Sequence, residues 1–225
     1  MDKVVVSIGG SVLVPGENDS SYIRELAEII KDISKDVQLV IVCGGGKTAR
    51  YYIKNGSELN GTTYDLDLMG IDLTRVNAKL LMIALGGIRE VPVDPKVAAK
   101  ISSPGNIIIM GGTEPGHTTD AVAAMVAKEM KADRLINATS VDAVYSDDPR
   151  KVKNAERYAK LTIEQLRSIV YSDHGAGRSS VFDPLGIKIL SESKIDLSVV
   201  DGRDLQELKN AILGKKIKGT FISSQ

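Results

Sequence analysis

The sequence is poor in the residues that build cross-links, metal cages and aromatic stacks. Among its 225 residues there is one cysteine, two histidines, two phenylalanines and no tryptophan. The single cysteine, Cys43, excludes an internal disulfide and any multi-cysteine metal site. It lies inside an apolar run, so a buried, inert thiol is expected rather than a nucleophile. His117 and His174 are too widely separated to suggest a metal site. An excess of charge is lacking as well. With 29 basic and 29 acidic residues the net charge is 0, so no global field favours nucleic acid or an anionic membrane. No apolar run approaches a membrane span, and the chain enters a strand pattern at once, without a signal-peptide pattern, so a cytoplasmic protein is expected.

What remains is ordinary globular composition, 43% hydrophobic and 26% charged, on a chain long enough to bury a core as one α/β domain or two small lobes sharing a sheet. Three apolar runs that read as strands stop abruptly at glycines: VVVSIGGS (residues 4–11), LVIVCGGGKTAR (39–50) and IIIMGGTEPGHTTD (107–120). A helical pattern follows each. Glycine lets backbone approach a ligand closely, and a helix starting there aims unpaired N–H groups outward. In a parallel sheet the three corners converge on one edge, where open α/β sheets bind ligands. The ligand should carry several negative charges, and phosphates are the natural candidates.

The spacing predicts strands over 3–8, 37–43, 106–110, 134–138, 196–200 and 219–222. It predicts helices over 20–34, with caps among residues 18–20, over 47–58 with an interruption near Gly56, and over 66–85, 97–101, 121–130, 161–170, 181–191 and 204–213. Residues 140–160 read as a polar loop and 171–180, YSDHGAGRSS, as a flexible turn holding His174. In the 66–85 helix, Met69, Leu73, Val76, Leu80 and Ile83 form one apolar stripe, while Leu81 and Leu85 extend a second. Two stripes fit burial in the helix's own domain or a subunit interface, with the interface slightly favoured.

The chemistry concentrates at the corners. GGGKT (44–48) is not a P-loop, because the residue six before Lys47 is Ile41 rather than glycine, and IGGSVL does not fit the dinucleotide fingerprint. Gly44, Gly45 and Gly46 nevertheless supply N–H groups at a helix start, with Lys47 and Arg50 on one face of that helix. In GGTEPGHTTDAVAA (111–124), Thr118 or Thr119 can cap the next helix while its N–H groups face a phosphate. His117 reads as a turn residue, a substrate donor or, least favoured, a general base. In ATSVDAVYSDDP (138–149), Tyr145 can cover an aromatic base, while Asp142, Asp147 and Asp148 can orient hydroxyls, hold a metal or simply form an acidic turn.

Together these residues resemble the amino acid kinase family and, within it, the archaeal-type uridylate kinases. The marks are DKVVVSIGGSVL, VCGGGKTAR, YDLDLMGIDLTRVNAKLL, MGGTEPGHTTDAVAA, TSVDAVYSDDP and VFDPLGIKIL, which run along nearly the whole chain. The resemblance implies a single three-layer α/β/α domain with a central, mainly parallel sheet. Its N-terminal part, about residues 1–130, takes the acceptor, and the remainder, 131–225, takes ATP. The implied activity is phosphoryl transfer from ATP–Mg²⁺ to UMP. Gly9, Gly10, Ser11, Gly46 and Arg50 then match phosphate contacts of ATP, and Thr139, Tyr145 and Asp148 its adenosine contacts. Gly45, Asp67, Thr113, Glu114, Pro115, Gly116, His117, Thr118 and Thr119 match UMP contacts. Lys188 matches a lysine beside the transferring group, with Lys47 as a second catalytic cation, no metal-binding side chain, and assembly as hexamers built from dimers. Three departures stand out: Ser7 occupies the place of a lysine found in many relatives, Ala143 that of a glycine and Ser140 that of an asparagine. The rivals are kinases for small acids or isopentenyl phosphate, and the oxyanion-storage proteins of the same fold.

Overall fold

The computed structural model describes residues 1–17, 19–149, 151–172 and 181–224; most of the YSDHGAGRSS turn, His174 included, lies outside the described residues, as does Asn18. A seven-stranded sheet runs through the middle in the order β3-β2-β1-β4-β8-β9-β7. Its strands are β1 (Asp2–Ile8), β2 (Val37–Cys43), β3 (Ile108–Met110), β4 (Arg134–Thr139), β7 (Lys160–Thr162), β8 (Asp196–Asp201) and β9 (Thr220–Ser223). The first five in space, β3 to β8, are parallel; β9 pairs antiparallel with β8 and parallel with β7. A separate two-residue ladder joins β5 (Val144–Tyr145) to β6 (Arg157–Tyr158).

The parallel strands are mostly apolar, with Ser7, Gln38, Asn137 and Ser198 as polar exceptions, because both faces of the sheet are covered. On one face Val4, Val6 and Ile8 of β1 pack with Ile23, Leu26 and Ile30 of α2 (Asp19–Ile33), Ala78 and Leu81 of α4 (Thr63–Ala84), and Leu208 and Ile212 of α9 (Leu205–Ile212). On the other, Val5 packs with Val122 and Val126 of α6 (Thr119–Met130), Leu166 of α7 (Ile163–Ser172), and Ile187 and Leu190 of α8 (Pro184–Ser193). This is the three-layer α/β/α arrangement. By the two-residue alternation of a strand, Ser7 shares the Val5 face and therefore looks towards α6. The remaining helices are α1 (Gly10–Leu13), α3 (Gly46–Glu58) and α5 (Pro95–Ile101).

Several elements depart from the sequence expectation. α3 runs through Gly56 without a break. That glycine is there for packing: a Cβ on it would stand 2.7 Å from Leu66 Cδ2 and 3.3 Å from Met69 Sδ. Leu161 belongs to a strand, and α8 starts at Pro184 behind the cap of Asp183 rather than at Val181. In α4 the buried residues are Ile71, Thr74, Asn77, Ala78, Leu81 and Met82, whereas Val76, Leu80 and Ile83 remain 55%, 38% and 58% exposed. No helix among the described residues is long and apolar enough to cross a membrane.

Candidate active site

The sheet order steps from β1 to β2 and β3 on one side and to β4 on the other, so the crevice at the carboxyl ends of β1 and β4 is the switch point of the topology. A cleft of about 870 Å³ opens there, large enough for a nucleotide. Gly9, Gly10, Ser11 and Val12 line it just after β1, Gly44 and Gly45 just after β2, Gly46 and Arg50 from α3, and Thr119 and Asp120 from the start of α6. Asn137, Thr139, Tyr145, Asp147, Asp148 and Lys151 are among the residues of the far side.

Two glycine corners meet backbone to backbone at the near end. Gly9 N–H donates to Ala138 O and Gly44 N–H to Ile8 O, both at 2.9 Å, stitching β1, β2 and β4 together just where they end. A Cβ on Gly10 would lie 2.5 Å from Gly44 O and closer still to Gly46 N. Gly46 has φ +66°, the left-handed region that favours glycine, and its own missing Cβ would fall 2.5 Å from Gly10 C and O. No larger residue allows this contact. Arg50 bridges the corners by donating from Nη2 to Ser11 Oγ at 2.8 Å.

The third corner leans on α4. Gly112 N–H donates to Thr74 Oγ1 at 2.6 Å, Gly116 N–H donates to Asp67 Oδ2 at 2.8 Å, and Asn77 Nδ2 donates to Gly44 O at 2.7 Å. His117 Nδ1 is buried without a hydrogen bond among the described residues; Glu114 Oε1 stands 3.2 Å away outside bonding geometry. Thr118 caps α6, accepting from Ala121 N–H at 3.2 Å, and donates to Asp183 Oδ2 at 2.7 Å. Asp183 in turn caps α8, accepting from Leu185 N–H and Gly186 N–H. The amino ends of α6 and α8 are thereby tied side by side.

One carboxylate at this end is electrostatically expensive. Burial pushes the Asp120 carboxyl up to about 6, against a lowering by the Ser7 hydroxyl that donates to Oδ1 at 2.7 Å, with the like charge of Asp183 adding to the rise. Ser7 thus gives Asp120 a neutral donor where a lysine would give it a partner charge. On the far side, Tyr145 is held by its hydroxyl, which donates to Asp142 Oδ1 at 2.9 Å, while Arg157 Nε donates to Asp142 Oδ2 at 3.0 Å. Burial first, then Asp142, raises the Tyr145 hydroxyl, so it stays a proton donor and its ring stays anchored.

Of the residues singled out from sequence, Gly9, Gly10, Ser11, Gly45, Gly46, Arg50, Thr119, Thr139, Tyr145 and Asp148 share the cleft lining. Thr113 and Glu114 line a smaller cavity of about 360 Å³ beside α5 and α6. Asp67, Gly116 and Thr118 are drawn in through the bonds above. Pro115 and His117 lie in the same connection, between β3 and α6. Lys47 and Lys188 are exposed and outside the cleft lining. Sequence reasoning missed Thr74, Arg75 and Asn77 of α4 and the Asp120–Ser7 and Asp142–Arg157 pairs. The α4 signal was available: polar residues placed on the buried side of an apolar helix need partners.

The likeness to known proteins is end to end. Residues 2–201 match the amino acid kinase family. The uridylate kinase of Archaeoglobus fulgidus is 44% identical over 98% of this chain and 100% of its own length, and that of Pyrococcus abyssi 43% over 98% and 99%. The crystal structure of the A. fulgidus uridylate kinase superposes with a TM-score of 0.88 over 99% of this chain and all of that one. The UMP kinase of Bacillus anthracis, 21% identical, shares the fold at a TM-score of 0.80 over 100% of this chain and 96% of its own. With that match to its family over nearly its whole length, the chain belongs to the amino acid kinase family.

Proposed function

We propose that the chain is a UMP kinase: it moves the γ-phosphoryl group of ATP to the phosphate of UMP, giving UDP and ADP for pyrimidine nucleotide biosynthesis. The observation that carries this is the near-full-length identity of 40–44% with uridylate kinases. In the step, an acceptor phosphate oxygen bonds to the γ-phosphorus as the bond to the β–γ bridging oxygen breaks, and ADP leaves with that oxygen. Such transfer asks for in-line positioning and stabilisation of spread negative charge rather than a strong base. The glycine N–H groups, hydroxyls and two cations, Arg50 and Lys151, among the cleft lining suit that demand.

In this reading the N-terminal part of the single domain, about residues 1–130, takes UMP, and 131–225 takes ATP. Gly9, Gly10, Ser11, Gly46 and Arg50 hold ATP phosphates. Thr139 and Asp148 hold the adenosine, and the Tyr145 ring covers the base. Gly45, Asp67 and the loop from Thr113 to Thr119 hold UMP, and Lys188 and Lys47 supply charge at the transferring group. The side-chain extension of an exposed lysine, four carbons long, supports a swing towards bound phosphate. Magnesium fits as a passenger on the nucleotide: it takes hard oxygen ligands and keeps substrate phosphates among them, and among the described residues no cluster of three or more carboxylates, imidazoles or thiols is placed to hold an ion by itself. Bound there it spreads the charge of the transferring group. A cytoplasmic enzyme follows from the pool of ATP–Mg²⁺ it would draw on. A subunit contact, as in a hexamer built from dimers, is supported by the apolar face that Val76, Leu80 and Ile83 leave open on α4.

The test is ADP release from ATP–Mg²⁺ with UMP, CMP, dUMP, AMP, carbamate and isopentenyl phosphate offered separately. Turnover confined largely to UMP is expected; preference for carbamate or isopentenyl phosphate would overturn the acceptor.

A further inference from the structure

Arg75 has no part in the reading above, yet among the described residues it is the one cation that grips the acceptor-side loop. It lies on α4 between the buried residues Thr74 and Asn77, with its side chain 26% exposed. Its Nε donates to Gly112 O at 3.1 Å and its Nη2 to Thr113 O at 3.0 Å. The carboxylate of Asp72 is 3.9 Å from Nη1 and 77% exposed, a solvated pair that contributes little. The guanidinium is therefore engaged by two consecutive backbone carbonyls rather than by an acid.

That choice fixes the loop. In a planar trans peptide the carbonyl and the N–H of the following residue point opposite ways. Turning the carbonyls of Gly112 and Thr113 to α4 turns the N–H groups of Thr113 and Glu114 away from it. Among the described residues neither N–H has an acceptor. Thr74 holds the preceding unit by accepting from Gly112 N–H, and a Cβ on Gly111 would meet Thr74 Oγ1 at 2.5 Å, so the loop has no room to slide. Only a planar fork with parallel donors can span two carbonyls in this way; an ammonium is a point charge on a flexible stem.

We propose that Arg75 is a positioning residue for the acceptor: by clamping the peptide units after β3 it sets the loop in the form that binds UMP, without itself touching the transferring group. The inference rests on the placement of UMP at residues 113–119. The experiment compares the full chain with Arg75→Ala and Arg75→Lys by initial-rate kinetics, and by calorimetric titration with UMP, alongside thermal melting. Arg75→Ala should raise both the KM and the Kd for UMP at least about tenfold, equivalent to about 1.4 kcal/mol, with the KM for ATP within about twofold. Arg75→Lys should fall between. Unchanged UMP affinity, or equal rises for ATP and UMP, would overturn the proposal. Should the alanine variant fail to fold, the lysine variant decides on the same split. A wild-type chain that does not turn over UMP defeats the functional reading instead, so the two failures are distinct.

Discussion

Replacing Asp120 by asparagine should make the protein more stable and a poorer enzyme. The Asp120 carboxyl is raised from 3.8 to about 6, chiefly by burial, although Ser7 donates to it. A shift of about two units corresponds to about 3 kcal/mol at about 1.4 kcal/mol per unit. This is an upper figure, because the cleft reaches the residue and admits water. The sign follows from proton binding. Between pH 4 and 6 the folded chain holds a proton that the unfolded chain has released, so stability falls as pH rises through that window and stays low above it. Asparagine keeps the shape and an oxygen for Ser7 but has no charge to bury. In calorimetric scans without nucleotide, Asp120→Asn should therefore melt higher than wild type at pH 7.5, by up to roughly 6–12 °C for about 3 kcal/mol in a chain of this size. The gap should shrink to about a third of that near pH 4.5 and close only below the ordinary carboxylate range. An equal gap at both pH values, or none, would refute the account. Turnover should fall, since a costly carboxylate at the phosphate end of a cleft is retained for function.

Other changes have equally definite outcomes. Gly10→Ala should abolish folding or cost several kcal/mol in urea titration, because its methyl would overlap Gly44 and Gly46 backbone that cannot retreat; a cost below about 1 kcal/mol would contradict the described contact. Lys188→Ala should lower kcat on the order of 10²-fold while the KM for UMP barely moves, and an unchanged kcat would remove Lys188 from the reaction. Leu80→Glu, on the exposed face of α4, should shift sedimentation towards monomer; an unaltered profile would place any subunit contact elsewhere.

The strands were legible wherever burial on both faces leaves an unbroken apolar run. β2 spans Val37–Cys43, as its sequence predicts, and the three glycine corners do meet at one edge of the sheet. What sequence could not resolve was pairing and partner choice. β5 and β6 are two residues each, too short to show a period, and exist through their mutual ladder. Leu161 looks helical by spacing but is claimed by β9. The α8 start could have been read from Asp183 followed by Pro184, a cap and a first-turn proline. In the site, the glycines and threonines announced themselves, whereas Asp120 became notable only when the fold brought Ser7, 113 positions away, to its oxygen. Likewise Arg75 gives no sign in sequence that it reaches two carbonyls 37 and 38 positions on.

The lone thiol gives this chain a built-in clock. Cys43 is wholly buried at the last residue of β2, directly before the glycine corner, and burial pushes its thiol up to about 12. Only thiolate attacks an alkylating reagent. At pH 8 the native fraction of thiolate is on the order of 10⁻⁴, shielded from reagent as well. Alkylation must wait for β2 to open. Each nucleotide that binds only the closed form should lengthen that wait by the factor 1 + [L]/Kd, so labelling time courses with ATP, ADP, UMP and UDP in turn would rank them as ligands with no turnover at all.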